Sequence, residues 1–364
     1  MKYKLAIIGC GRISIKHVEA CISNSNIIQI SAFCDIDIQK AKNKSELLSS
    51  RTGDILKPVY KNYQKMIKEL NPDIVSIATE SGKHAEIAVN CLNLGCHVIC
   101  EKPMALSTKD ADEINKVAKK NKKKIAICFQ NRFNPPVKKL RSALEAKKFG
   151  KLIYGTIQVR WNRNDDYYRK ASWRGTWEMD GGALMNQCIH GIDLLQWMLG
   201  EDATRVWALT RRFLKPIEAE DFGTAIIEFK NGAVGIIEGS VDVYPQNLSE
   251  TLSIFGEKGS VVIGGIAINK IENWNFESDV FLENLKKNSL SSNEEKQTIY
   301  GFGHIPLFKN FVESIEFDRE PLISGESGRK SLEIVLAAYK SQKTGLPVTL
   351  PCDFSTLEMK NYFS

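Results

Sequence analysis

The 364-residue chain predicts an α/β fold in which an N-terminal Rossmann domain, a doubly wound parallel sheet, precedes an α+β domain with a large open antiparallel sheet. Three observations carry this expectation. Over the first ~130 residues short apolar runs alternate with amphipathic stretches, as βαβ units do. A glycine turn, Gly9-Cys10-Gly11-Arg12-Ile13-Ser14, follows the first apolar run and opens a helical pattern. Beyond residue 130 the pattern changes to closely spaced strands. The length exceeds what one hydrophobic core usually serves, so two domains are expected, 1–129 and 130–364.

In the first domain the strand candidates are KLAIIG, IQISAFCD, IVSIAT, HVICEKP and KIAICFQ. Helical periodicity fills the gaps at 17–23, 36–50, 63–69, 84–93 and 109–120, with Asn71-Pro72-Asp73 and Gly95 as breaks. Asn134-Pro135-Pro136 opens a helix that runs to Lys148 and stops at Gly150. The strands LIYGTIQVRW, TRVWALTRRF, GTAIIEFK, GAVGIIEGSV, LSETLSIFG and SVVIGG follow. Asn231-Gly232 between two of them predicts a type I′ hairpin turn. One helix, 185–199, interrupts this sheet, and two more, 305–318 and 325–344, lie near the C-terminus.

Composition narrows the functional classes. At 43% hydrophobic and 26% charged residues, the chain has the apolar content of a globular enzyme and lacks the bias that keeps chains disordered. The apolar run in MKYKLAIIGCGR is too short for a signal peptide, and no stretch approaches the ~18 apolar residues a bilayer span needs. A soluble cytoplasmic protein is expected, with no membrane partner. The nine cysteines are an odd number, and Cys10, Cys34, Cys100 and Cys128 fall inside apolar runs as buried thiols. Cys91, Cys96 and Cys100 lack zinc-ribbon spacing, so no metal is expected. A formal charge of +7 raises nucleic acid as a partner, but the lysines of KKNKKK lack interleaved aromatics and read as a solvated helix end. A small anionic substrate explains the surplus equally well.

The chemistry begins at the glycine turn. Gly9 and Gly11 let the backbone approach a diphosphate at a helix N-terminus, and the small Ser14 at the third position still permits close packing. Asp35 ends the second strand, 24 residues beyond Gly11, where a carboxylate accepts hydrogen bonds from ribose hydroxyls and repels a 2′-phosphate. With Ile36 next, the expected cofactor is NAD. Glu101-Lys102-Pro103 ends another strand, placing Lys102 at the carboxyl edge of the sheet, where a partly desolvated lysine beside a nicotinamide is suited to take a hydroxyl proton. The bland alternative is an exposed, salt-bridged lysine.

With these motifs the chain resembles the Gfo/Idh/MocA oxidoreductases, from the first strand to Leu346-Pro347-Val348. The resemblance implies that Lys102 lies in the active site. A second hallmark of the family is an aspartate followed four residues later by a histidine. In GGALMNQCIHGIDLLQW these positions hold Asn186 and His190, so the usual carboxylate is replaced by an amide, which orients a hydroxyl but takes no proton. Lys102, His190 and Asn186 are therefore the expected catalytic residues. The implied cofactor contacts are Gly9, Gly11, Arg12, Ile13, Asp35, Thr79, His84, Glu101, Lys102, Gln130, Trp173 and Arg174.

Longer segments, QNRFNPP, DYYRKASWRGTWEMDGGALMNQCIH, FGEKGSVVIGG with AINKIENW, and YGFGHIPL, resemble one branch, the UDP-N-acetylglucosaminuronate 3-dehydrogenases. This implies oxidation at C3 of a UDP-sugar acid for surface polysaccharide synthesis, with 2-oxoglutarate recycling the reduced cofactor. UDP-N-acetylglucosamine or another sugar or cyclitol is the alternative substrate. A non-catalytic NAD-binding regulator is the alternative of another class. Substrate contacts are expected from Lys102, Asn131, Arg163, Tyr168, Asn186, Gln187, His190 and His304. Read physically, the stretch from Trp161 to Trp177 crowds Arg163, Tyr167, Tyr168, Arg169, Trp173 and Arg174 together, and guanidinium groups with flat rings suit phosphates, carboxylates and sugars. The tryptophans equally serve to pack an interface. His304 is open between substrate contact, a neighbouring subunit's pocket and a helix-capping role. An open antiparallel sheet with an apolar face needs cover, and the resemblance implies a homotetramer.

Overall fold

The computed structural model describes residues 2–200, 202–277 and 303–363. They form two compact units. The first comprises the chain up to Phe129, with Glu178–Asp180 and His304–Leu332; the second comprises the rest. The first unit therefore takes residues from far along the chain, in contrast to a second domain running unbroken over 130–364.

In the first unit, β1 (Tyr3–Ile8), β2 (Ile28–Cys34), β3 (Val59–Tyr60), β4 (Ile74–Ile77), β5 (His97–Cys100) and β6 (Ile125–Ile127) form one parallel sheet in the order β3-β2-β1-β4-β5-β6. The helices α1 (Ser14–Ser23), α2 (Ile38–Thr52), α3 (Tyr63–Leu70), α4 (His84–Asn93) and α5 (Thr108–Lys120) connect them. Leu5, Ala6 and Ile7, like Val98 and Ile99, are fully buried. Strands covered on both faces need such unbroken apolar runs, which is why they were legible as runs and not as alternations. The order reverses between β1 and β4, the crevice where doubly wound sheets bind ligands. The two-residue β3 gives no sequence signal, and α1 begins one turn earlier than its periodicity predicts, at Ser14.

The second unit holds α6 (Pro135–Glu145), β7 (Leu152–Arg160), α7 (Asp165–Arg169), α8 (Ile189–Leu199), β8 (Ala203–Arg211), β9 (Phe222–Phe229), β10 (Val234–Ser240), β11 (Ser249–Gly256), β12 (Gly259–Gly264), β13 (Lys270–Phe276) and β14 (Val348–Thr349). Its eight strands run β13-β12-β11-β7-β10-β9-β8-β14. The sheet is mixed: β7 and β10 pair in parallel, while every other pair is antiparallel. The loop joining β9 to β10 differs from the expected type I′ turn. Only Gly232 has positive φ, +84°; its N–H donates to Phe229 O and Phe229 N–H donates to Ala233 O. That is a three-residue loop closed by a left-handed glycine, another hairpin solution that suits twisted strands.

One sheet face carries α8. Gly223 and Gly239 lie directly under it, where a Cβ would come within 2.7 Å of Leu184 and 2.6 Å of Cys188 Sγ, so the segment entering α8 rests on bare backbone. Arg132 anchors the other side: buried, it donates from Nε and Nη2 to both oxygens of Asp193 on α8 at 2.7 and 2.6 Å and stacks on Trp197. Among the described residues no helix is long and apolar enough to cross a membrane. All nine cysteines are buried and free.

Candidate active site

The glycine turn is built for close approach by a ligand. Gly9 has φ +88°, and a Cβ there would lie 2.5 Å from the Ala78 carbonyl carbon, so no other residue fits. A Cβ on Gly11 would meet nothing within 4 Å, which leaves exposed backbone facing open space. Ser14 is buried, and its hydroxyl donates to Gly11 O at 2.7 Å, holding the loop against α1. The first turn of α1 has no side-chain cap and no acid, so its N–H groups and dipole are left for an anion. Asp35 accepts from Cys10 N–H at 2.7 Å and Asp37 N–H at 2.8 Å, which fixes the carboxylate beside the turn. Arg12 is exposed and Ile13 half-buried. These residues fit a dinucleotide: a cradle only glycine can form, an uncapped helix end for its diphosphate and a fixed carboxylate for a ribose.

Lys102 follows β5 and is half-buried, joined to Pro103 by a cis peptide bond. Glu101 and His84, both expected to touch the cofactor, are buried and hydrogen-bonded within the unit. The buried His84 ring places Nδ1 2.7 Å from Pro103 O and Nε2 3.1 Å from Thr79 O. Glu101 Oε1 receives His17 Nε2 at 2.9 Å and His304 Nε2 at 3.2 Å. Desolvation opposes the Glu101 charge, but donation from these two rings overrides it and holds the carboxyl well below the ordinary range. Burial pushes His17 down and keeps it neutral, so its single N–H sits on Nε2 and its Nδ1 accepts from Ser76 Oγ at 2.6 Å.

His17 is a residue the sequence reading passed over; its only signal is a histidine on the apolar face of α1 beside Val18 and Cys21. His304 is buried, with Nε2 3.2 Å from Glu101 Oε1. The preceding Tyr300, Gly301 and Phe302 of the YGFGHIPL segment lie outside the described residues. Donor atoms of His17, Glu101, Cys128 and His304 lie within 4.8 Å of one another. Burial keeps the Cys128 thiol protonated, and the His17 and His304 nitrogens stand at hydrogen-bond distance from Glu101, so the cluster is a set of donors around one carboxylate.

In the second unit, residues Ala183–Cys188 form a turn of π-helix that leads into α8. Of this segment only Asn186 and His190 are part-exposed, while Leu184, Met185, Gln187, Cys188 and Ile189 are buried; the two expected site residues share its open face. Glu220 fastens the turn: its backbone oxygen accepts from Ala183 N–H, and its carboxylate from Leu184 N–H and Tyr339 OH, each at 2.8 Å. Gln187 donates to the Asn186 side-chain oxygen and, at 3.1 Å, to Tyr167 OH. Arg174 stacks on Tyr167 at 4.2 Å, and Arg163 lies over Trp161 at 4.9 Å. Tyr168 is buried, as is Trp177 against Tyr339, whereas Trp173 is half-buried. Gln130 and Asn131 are buried, with Gln130 Oε1 unbonded among the described residues. Arg174, Arg212 and Lys215 line one cavity of about 440 Å³, together with Ser172, Thr176 and Glu218.

Fold and glycine cradle together define an NAD-dependent oxidoreductase. Residues 3–129 match the model described as an oxidoreductase family with an NAD-binding Rossmann fold, and residues 137–262 match the GFO/IDH/MocA C-terminal domain. The chain belongs to the Gfo/Idh/MocA family. It is similar in structure to the WlbA dehydrogenase of Bordetella pertussis in complex with NADH and UDP-GlcNAcA, at 32% identity and a TM-score of 0.84 over 97% of this chain and 100% of that one. The WlbA dehydrogenase of Chromobacterium violaceum, in complex with the same two ligands, is 36% identical with a TM-score of 0.84, covering 97% of each chain. Among curated proteins, the myo-inositol 2-dehydrogenase of Thermotoga maritima is 25% identical over 93% of this chain and 96% of its own.

Proposed function

We propose that the chain oxidises the C3 hydroxyl of UDP-N-acetylglucosaminuronic acid to the 3-keto sugar, in nucleotide-sugar synthesis for surface polysaccharide. One observation carries this reading: both WlbA dehydrogenases, crystallised with NADH and UDP-GlcNAcA, exceed 30% identity over nearly the whole chain. The formal charge of +7 suits an anionic substrate.

In this reading Gly9, Gly11, the first turn of α1 and Asp35 hold NAD, which supplies the hydride acceptor when bound. Arg12, Ile13, Thr79, Gln130, Trp173 and Arg174 belong to the cofactor's surroundings. Lys102 and His190 flank the C3 hydroxyl, and the hydroxyl proton leaves to one of them. Asn186, held by Gln187, orients that hydroxyl and takes no proton. Asn131, Arg163, Tyr168 and Gln187 hold the rest of the substrate. 2-Oxoglutarate serves as the oxidant that returns the cofactor to NAD.

Assembly completes the proposal. On the sheet face opposite α8, Trp207, Ile226 and Ile236 stand exposed in one row across β8, β9 and β10. A second copy of the chain covers this apolar row, and a tetramer results.

The myo-inositol 2-dehydrogenase relative favours a second reading, a cyclitol or free sugar as substrate. Reduced-nicotinamide formation with UDP-N-acetylglucosaminuronic acid, UDP-N-acetylglucosamine and myo-inositol, side by side, separates the two. Preference for the uronate is expected, and turnover of myo-inositol alone overturns the first reading. Lys102→Met should abolish turnover while NAD still binds.

A further inference from the structure

Within the first unit, Lys102 is attached to a buried polar assembly that reaches into four other elements. Two backbone groups beside it are held by side chains. Lys102 N–H lies 3.2 Å from Glu101 Oε2, and Pro103 O accepts from His84 Nδ1 at 2.7 Å. Behind Glu101 stand His17 on α1 and His304 at the start of the helix His304–Glu316, both on Oε1. Behind His17 stands Ser76 on β4. His84 opens α4.

These groups are costly where they are. His17 is 0% exposed, His84 1%, His304 2% and Glu101 6%, and a buried carboxylate loses several kcal/mol of hydration even when paired. Among the described residues His304 Nδ1 is buried without a hydrogen-bond partner, an added penalty that an apolar ring at this position would not carry. Packing alone does not call for such a set, since apolar side chains of the same volume fill a core at lower cost. Two of these bonds end on the backbone at Lys102 and Pro103, and the others support the side chains that make them, while His84 Nε2 also lies 3.1 Å from Thr79 O.

We propose that Glu101, His84, His17 and His304 are positioning residues for Lys102: together they clamp its backbone so that the amine is presented to the reacting hydroxyl in one geometry. The proposal rests on the reading of Lys102 as catalytic. The clamp has a defined direction of dependence. The Glu101 carboxylate, which only accepts, fixes the His17 N–H on Nε2 while Ser76 Oγ supports Nδ1; His17 and His304 hold Glu101, and Glu101 with His84 holds the strand end that carries the lysine.

The test uses the full-length, NAD-loaded protein with UDP-N-acetylglucosaminuronic acid as substrate, and three variants. His304→Phe keeps a ring and loses the donor, His304→Gln restores an N–H donor, and Ser76→Ala removes the hydroxyl that supports His17 Nδ1 with little change in volume. A misplacement of about 1 Å costs roughly a hundredfold in rate. His304→Phe should therefore lose kcat on that order with the KM for NAD within about twofold, His304→Gln should recover most of it, and Ser76→Ala should lose several-fold. Amide exchange at Lys102, followed by mass spectrometry, reads the clamp without substrate and should quicken roughly tenfold or more in His304→Phe and Ser76→Ala, since a held N–H exchanges only on opening. Wild-type kcat, or unchanged exchange, in folded Ser76→Ala and His304→Phe proteins overturns the clamp; if His304→Phe does not fold, Ser76→Ala decides alone. An active Lys102→Met protein overturns the catalytic reading itself, whereas an inactive one beside fully active clamp variants overturns the clamp only.

Discussion

Glu101 Oε1 accepts from His304 Nε2 at 3.2 Å across 203 residues of sequence. The same oxygen accepts from His17, 84 residues earlier than Glu101. One carboxylate next to the expected catalytic lysine thus ties together the first helix, the fifth strand and a late helix. A charge this deeply buried persists because each of its oxygens has donors, and it is this satisfaction that keeps it ionised.

Cofactor choice should follow Asp35. Its two backbone hydrogen bonds fix the carboxylate beside the turn. Losing a hydrogen bond to a charged group costs about 1.5–3 kcal/mol, so Asp35→Ala should weaken NAD binding roughly ten- to a hundredfold. Asp35→Ser combined with Ile36→Arg should raise affinity for NADP, because the repelling charge is replaced by an attracting one. Titration of protein fluorescence with each nucleotide checks both; unchanged NAD affinity in Asp35→Ala would place the ribose elsewhere.

The Arg132–Asp193 pair should be a stability determinant of the second unit. Its side chains are 2% and 0% exposed. Arg132→Met strands a buried charge and should cost about 3–5 kcal/mol, measured by urea unfolding. The double variant Arg132→Met with Asp193→Leu should regain much of the loss, since no lone charge remains. A single variant as stable as wild type would show that the pair is not needed.

Stability should fall between weakly acidic and weakly alkaline pH, and Glu250 should be one cause. It is buried on β11 with Oε1 unbonded among the described residues, and desolvation pushes its carboxyl from an ordinary 4.5 up to about 8. The folded chain keeps this proton where the unfolded chain loses it. The contribution is therefore complete below about pH 4.5, declines as pH rises and is lost above about pH 8. Glu250→Gln cannot ionise, so the gain in Tm of this variant over wild type should be larger at pH 9 than at pH 5. Equal differences at the two pH values would remove Glu250 from the account. Glu220, raised to about 8 mainly by desolvation, works in the same sense.

Assembly should depend on the row Trp207, Ile226 and Ile236. Trp207→Arg with Ile226→Glu puts two charges on the surface that another copy is proposed to cover. Light scattering coupled to size exclusion should report a smaller particle for this variant than for wild type. A wild-type protein that elutes as a monomer would count against the oligomer.

The sequence by itself determined the Rossmann half almost completely. Its strands are continuous apolar runs, its turn needs glycine at Gly9 because any Cβ would strike Ala78, and Asp35 and Lys102 end strands whose direction fixes where side chains emerge. These are local constraints, and local constraints are written in consecutive residues. Asn186 and His190, by contrast, were singled out by resemblance to the family's helix motif and not by any local constraint.

Only the tertiary structure decided what required partners distant in the chain. The parallel pairing of β7 with β10 is a choice of neighbour between strands that look alike in sequence. Residues 304–332 join the first unit because His304 and the helix it opens pack against α1, a destination that no periodicity in that segment specifies. Glu101 is buried where two histidines from opposite ends of the unit offer a buried charge the donors it needs. Hydrogen-bond satisfaction is a property of where chains meet, and it is there that the surroundings of Lys102 were settled.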